Sequence, residues 1–172
     1  MIYRSLPRYA NSDLSEYRNG LFGRPCLKPA GPAQRLGTLF HALVLEGSPL
    51  PDLSASVRRQ LTAMHEAVLR NKFMARLLPH AHVEQVQLWD DLRTALPCKA
   101  QLDAWLPEHE LIIDLKTTSC RSYGEFLASC ESYDYDRQAA YYLDGLPAAK
   151  RFVIIGVQKQ APYDVFYFEA SA

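Results

Sequence analysis

The sequence carries no net charge, no long apolar run and no paired cysteines, and each absence closes off a class of protein. Its 19 lysines and arginines are matched by 19 acids, so bulk charge does not advertise a nucleic-acid binder. No apolar stretch approaches the roughly 20 residues that a membrane helix requires. The opening MIYRSLPRYANSD lacks the apolar segment of a secretory signal. A cytoplasmic location with no membrane association is therefore expected. The four cysteines, Cys26, Cys98, Cys120 and Cys130, form no C-x-x-C pair, which argues against a zinc ribbon. The last three are too widely spread for a four-cysteine iron–sulfur site, so no cluster is expected and scattered reduced thiols are. Internal repeats and low-complexity tracts are absent as well. With 48% apolar residues, the chain is not a disordered one.

What is present suits one domain over residues 1–172. Residues 1–32 read as a basic N-terminal helix and loop, 33–79 as helical, and 82–172 as an α/β core. Arg4, Arg8, Arg18, Arg24, Lys28 and Arg35 face only Asp13 and Glu16 at the start of the chain. A basic arm beside an acidic body could hold phosphate near carboxylates, and it equally fits a solvated surface segment. A short helix capped by Asn11 or Ser12 is expected, then a Gly- and Pro-rich loop over 19–32. Apolar residues at helical spacing predict helices over 33–47, with Gly47 just past its end, and over 54–71. A short helical piece follows and stops at Pro79. Period-two patterning then predicts strands over 82–89, 96–106 and 110–117. Ser122 and Glu125 form a capping box for a short helix. A further helix over 133–146 and two strands around Pro162 complete the order. Helices, three strands, helices, two strands predict a mixed sheet flanked by helices.

The stretch LIIDLKTT, from Leu111, places two charges in an apolar strand. Alternation puts Asp114 and Lys116 on the face of Ile112, and Leu115 on the opposite face. On the preceding strand Lys99, Gln101, Asp103 and Trp105 share a face, so a hairpin through PEHE would bring Asp103 near Asp114. Glu84 shares its face with Val86 and Leu88 and is expected to point inward. Carboxylates held close repel each other unless a cation lies between them, and hard oxygen ligands suit Mg²⁺ or Mn²⁺. A lysine beside that cation suits metal-assisted phosphodiester hydrolysis. Taken alone, the Asp-x-Lys pair fits an edge-strand salt bridge better than a site.

Four motifs occur in order: GTLFHALVLEG from Gly37, CKAQLD ending at Asp103, DLK at 114–116, and QAAYY from Gln138. Together they resemble the RecB-like branch of the PD-(D/E)XK nuclease superfamily, most of all RecE-type (exonuclease VIII) nuclease domains and their phage relatives. The opening YANSDLSEY and the closing FVIIGVQKQAPYDVFYFE are similar too, so the resemblance spans nearly the whole chain. It implies a restriction-endonuclease-like α/β core. By position, Asp103 matches the first acid, with Leu102 where the family has proline, Asp114 the second acid and Lys116 the lysine. The resemblance makes His41, Asp103, Asp114 and the Leu115 carbonyl metal ligands, and Lys116, Asp114 and Asp103 the catalytic set. Gln138 and Tyr142 match Q-x-x-x-Y, on one helix face by their spacing, with a supporting or DNA-binding role. Glu84 matches an acid of the preceding strand. From the residues alone, His41 could be a packed side chain, Gln138 and Tyr142 core edge and surface, and Glu84 a partner of Lys99. Trp89 and Trp105 read as core.

The resemblance further implies a Mg²⁺-dependent deoxyribonuclease, with Mn²⁺ able to substitute, acting on linear duplex ends in the 5′→3′ direction in phage or prophage recombination. A single-strand annealing recombinase as partner and self-assembly into a homo-oligomer belong to the same implication. The chain stops soon after the last strand, at FEASA, where relatives continue into further helices.

Overall fold

A computed structural model describes residues 3–23 and 31–171. Helices α1 (Asn11–Leu21), α2 (Pro32–Leu45), α3 (Ala55–Arg70) and α4 (Lys72–Leu77) come first. Strands β1 (His82–Asp90), β2 (Pro97–Leu106) and β3 (Leu111–Thr118) follow, then α5 (Tyr123–Ser132) and α6 (Tyr135–Gly145), then β4 (Arg151–Gln158) and β5 (Val165–Ser171). This is the helix-flanked mixed α/β sheet that the order of elements predicts. None of the described helices is long and apolar enough to cross a membrane.

Local chemistry explains most of the boundaries. Pro32 opens α2, where its fixed φ suits the first turn and its missing N–H leaves nothing unpaired. Gly47 follows α2 at φ +63°, a conformation that glycine adopts without penalty. Ser54 accepts the Val57 N–H to start α3, and Asn71 accepts the Phe73 and Met74 N–H groups to start α4. Two expectations need correction. The cap of α1 is Ala10, neither Asn11 nor Ser12, because the Asp13 carboxylate reaches back to the Ala10 N–H at 2.7 Å. The loop also begins later than residue 19, since α1 runs to Leu21; its stretch 24–30, with Arg24, Cys26 and Lys28, lies outside the described residues.

The sheet order is β1-β2-β3-β4-β5, antiparallel except for the parallel pair β3–β4, whose crossover is α5 and α6. One face packs on α2, α3 and α4: Leu111, Ile113, Leu115, Val153, Ile155 and Val157 meet Phe40, Leu61, Met64 and Val68. The other packs on α5 and α6: Ala100, Leu102, Ile112, Phe152 and Ile154 meet Phe126, Cys130 and Ala139. Alternation along β4 therefore serves both layers, as expected for a central strand with helices on either side.

β2 changes partner along its length. Its second half pairs with β3, but only from Ala104↔Ile113 to Leu106↔Leu111. Its first half is flanked by the N-terminal segment: the Tyr9 N–H bonds the Pro97 carbonyl at 2.8 Å, and the Lys99 N–H bonds the Tyr9 carbonyl at 2.7 Å. The buried Lys99 ammonium holds that segment further by donating to the carbonyls of Leu6 at 2.8 Å and Tyr3 at 3.3 Å. Beyond Ala104 and Ile113, β2 and β3 leave a gap.

Candidate active site

The gap is where the charged side chains gather. The Leu115 N–H, which a continued ladder would have used, donates instead to Asp103 Oδ2 at 2.7 Å. The expected alternation of β2 slips here: Leu102 and Trp105 belong to one core layer while Ala104 and Leu106 belong to the other. Asp103 continues the face of Gln101 and turns its carboxylate into the opening, whereas Trp105, expected on the same face, falls in the opposite layer with Leu102. Opposite it, Glu84 has φ +53°, which breaks the alternation of β1. Val86 and Leu88 are exposed, while Glu84 turns toward the opening, where Gln101, the register partner of Val86, donates to its Oε2. The expected inward direction therefore holds for Glu84 and fails for Val86 and Leu88. Lys99 is not the partner of Glu84, being engaged by the N-terminal carbonyls. From the α2 layer, His41 Nδ1 comes within 3.5 Å of Asp103 Oδ1.

From the other layer come Asp114 and Lys116, on the face of Ile112 as alternation requires. Asp114 is 3% exposed. Lys116 Nζ lies 2.6 Å from its Oδ2, and the Gln138 side-chain amide donates to its Oδ1 at 2.5 Å. The Tyr142 ring, one turn along α6 from Gln138, meets Phe152 edge-on at 5.6 Å. The i, i+4 pair thus faces the sheet, with Gln138 at the acid and Tyr142 in the core.

Burial and charge act against each other throughout. Burial disfavours the His41 imidazolium, yet the Asp103 and Asp114 carboxylates hold its pKa above the usual value. Burial likewise opposes ionisation of Asp103, but His41, Lys116 and the Leu115 N–H lower its pKa on balance. Asp114 is pushed up, by burial and by the Asp103 charge, against the pull of Lys116. Glu84 is raised by burial and by Asp103. Lys116 is held cationic: burial opposes its charge, and Asp114 and Asp103 outweigh it.

Side chains from α2, β1, β2 and β3 thus line one cavity of about 940 Å³, with Arg4, Lys159, Tyr133 and Tyr135 also at its walls. Ligand atoms of His41, Glu84 and Asp103 lie within 4.8 Å of one another. One imidazole nitrogen and two carboxylate oxygens at that separation fit a divalent cation, which would relieve the repulsion between the acids. Asp114 stands outside this trio, turned to Lys116 and Gln138. The Leu115 carbonyl leaves the same edge of β3 as the N–H bonded to Asp103. Sequence reasoning missed Gln101, which orients Glu84, and gave Tyr135 no place in the site. Tyr135 lies against Lys116, whose Nζ is 5.3 Å from the ring centre. Gln101 stands two residues before Asp103, but only the position of Glu84 reveals its role. Trp105 is buried core, and Trp89 packs on Tyr141 at 4.9 Å.

Comparison with known proteins bears on this geometry. Residues 35–172 match the family model described as "PDDEXK-like domain of unknown function (DUF3799)". No curated protein matches the sequence. Among solved structures, a candidate exonuclease of Eubacterium rectale aligns with TM-score 0.67 and 16% identity, over 91% of this chain and 65% of the other. A phage-related exonuclease of Haemophilus somnus 129PT aligns at TM-score 0.52 and 12% identity, covering 95% and 84%. An alkaline exonuclease of Laribacter hongkongensis aligns at 0.50 and 14%, covering 98% and 79%. At these identities the likeness is one of fold. The chain spans just under two-thirds of the length of the Eubacterium protein.

Proposed function

Because the chain belongs to the PDDEXK-like family, within the PD-(D/E)XK nuclease superfamily, we propose that it is a divalent-metal-dependent deoxyribonuclease. The observation that carries this reading is the convergence of His41, Glu84, Asp103 and Lys116 on one cavity, with Asp114 buried behind Lys116. Residues 1–172 act in this proposal as one nuclease domain. His41, Glu84 and Asp103 would hold the ion, with Asp114 and the Leu115 carbonyl added by the family resemblance. Mg²⁺ is the proposed ion, and Mn²⁺ substitutes for it. When bound, the metal neutralises charge on the phosphate and activates a water for attack.

The chain's own residues do the rest. The Lys116 ammonium, 2.6 Å from Asp114, donates to the attacking water or to the phosphoryl oxygens as their charge grows. The Gln138 amide and the Leu115 N–H fix the two acids, so that neither must reorganise during the reaction. The finer proposal is a RecE-like exonuclease that degrades one strand of linear duplex DNA 5′→3′ and passes the single strand to an annealing recombinase. A homo-oligomeric assembly is part of this proposal.

The test is incubation with end-labelled linear duplex and with closed circular DNA, each with Mg²⁺ and with EDTA. Mg²⁺-dependent loss of the 5′-terminated strand from linear DNA alone is expected. Cutting of the closed circle overturns the exonuclease assignment. Full activity of Asp114→Ala and Lys116→Ala overturns the site.

A further inference from the structure

Two tyrosines at the mouth of the cavity form a feature that the metal chemistry does not use. Tyr133 ends α5 and Tyr135 opens α6, and their rings stack at 5.8 Å between centres with 23° between planes. Tyr135 faces Lys116. Tyr133 lines the same cavity yet is 66% exposed, so burial of its own ring does not explain its position. Asp134 between them has φ +51°, a left-handed conformation that disfavours a non-glycine residue. Continuous helix through Asp134 would point the two rings in different directions; the reversal is what stacks them. Ion pairs hold it in place: Arg18 of α1 bonds the Asp134 carboxylate, and Arg137 lies 3.6 Å from it while donating to Ser15 Oγ at 2.6 Å. A strained residue, braced from two helices, thus presents an open aromatic face beside the catalytic lysine.

We propose that Tyr133 is a stacking platform for one nucleobase of the strand being cut, next to the phosphate at Lys116. The proposal rests on the nuclease reading and adds that the nucleotide at the site is unpaired: a base within a duplex has no free face, whereas a splayed one stacks on an aromatic ring whatever its identity. Tyr135, wedged between Tyr133 and Lys116, sets the distance from base to phosphate.

The test is binding of a labelled single-stranded oligonucleotide, by anisotropy, with Ca²⁺ replacing Mg²⁺ and strand length verified after each titration. Tyr133→Ala should weaken binding about tenfold, the effect of losing one base–aromatic contact, and Tyr133→Phe should restore it. On an oligomer of equal length built of abasic residues, wild type should bind as weakly as the alanine variant, and the substitution should cost nothing further. A phenylalanine variant no better than alanine, or an alanine penalty undiminished on the abasic strand, overturns the platform. Wild type that shows this stacking pattern but cuts no DNA with Mg²⁺ overturns the nuclease reading alone. Wild type that does not bind the oligonucleotide but degrades linear duplex with Mg²⁺ overturns the platform alone.

Discussion

Gly156 is the position where one methyl group should be felt most. It lies in β4, paired with Lys116 of β3. A Cβ added there would stand 2.7 and 2.8 Å from Cζ and Cδ2 of Phe126, and closer still to Cε2, against an optimum of about 3.5–4.0 Å between carbons. Phe126 is 1% exposed and stacks on Phe166 at 5.5 Å, so its ring must move by about 1 Å into occupied space. Overpacking of this kind costs about 1–3 kcal/mol. In a domain of this size each kcal/mol moves Tm by about 2–4 °C, so Gly156→Ala should lower Tm by about 4–8 °C at the middle of that range. Calorimetry checks the figure, and a second variant checks the cause. With Phe126→Leu as background, the added methyl meets a smaller neighbour, and the two substitutions should fall short of additivity by about 1 kcal/mol or more. Because Gly156 pairs with Lys116, Gly156→Ala should also reduce nuclease activity well below its Tm. A Tm within about 1 °C of wild type, or strict additivity with Phe126→Leu, would refute the packing argument.

Three further outcomes are expected. Gln138→Leu removes a hydrogen bond to a buried carboxylate, so denaturant unfolding should show a loss of about 1.5–3 kcal/mol; Gln138→Glu should impair activity more than leucine does, by setting two acids side by side, and equal activity of the two would contradict the assigned bond. Mn²⁺ at 100 times its dissociation constant should stabilise the protein by about 2.7 kcal/mol in the absence of DNA, and Asp103→Ala and Glu84→Ala should each abolish the effect; an unchanged Mn²⁺ shift in either variant removes that residue from the ligand set. Cys130 is 3% exposed and burial pushes its thiol up to about 11, so the reactive thiolate forms only at higher pH; a thiol reagent at pH 8 should modify it only after unfolding, and rapid labelling in the native state would refute its placement.

Most elements were legible in the sequence because their signals are local: the cap at Ser122, Gly47, the stop at Pro79, and the switch from helical to period-two spacing. The alternation of β3 was also legible, and it placed Asp114 and Lys116 together on the α6 side. Three features were not. The reach of Asp13 back to Ala10 moved a helix start by competing with the polar residues after it. The positive φ at Glu84 and the slip between Leu102 and Trp105 have no glycine or proline to announce them, and the slip moved Trp105 off the face that strict alternation had assigned it. The docking of Tyr9 on β2 depends on chain segments about ninety positions apart, beyond the reach of any periodicity.

Those illegible features share one physical origin. Had β2 paired with β3 along its full length, the Leu115 N–H would bond a backbone carbonyl and Asp103 would project from one face of a closed sheet. The helical layers would then be separated by the sheet, with His41 on one side and Asp114 and Lys116 on the other. Exchanging β3 for Tyr9 along the first half of β2 satisfies that edge while opening the sheet between Asp103 and Asp114. The opening leaves one backbone donor unpaired, and an unpaired buried N–H is costly enough that native structures almost always satisfy it. Asp103 satisfies it, and the same bond aims the carboxylate at His41 and Glu84. The irregular ladder is therefore the means by which residues from opposite faces of one sheet reach a common cavity. A sequence in which β2 and β3 zipped completely would keep all the charged residues of the motif and lose the site.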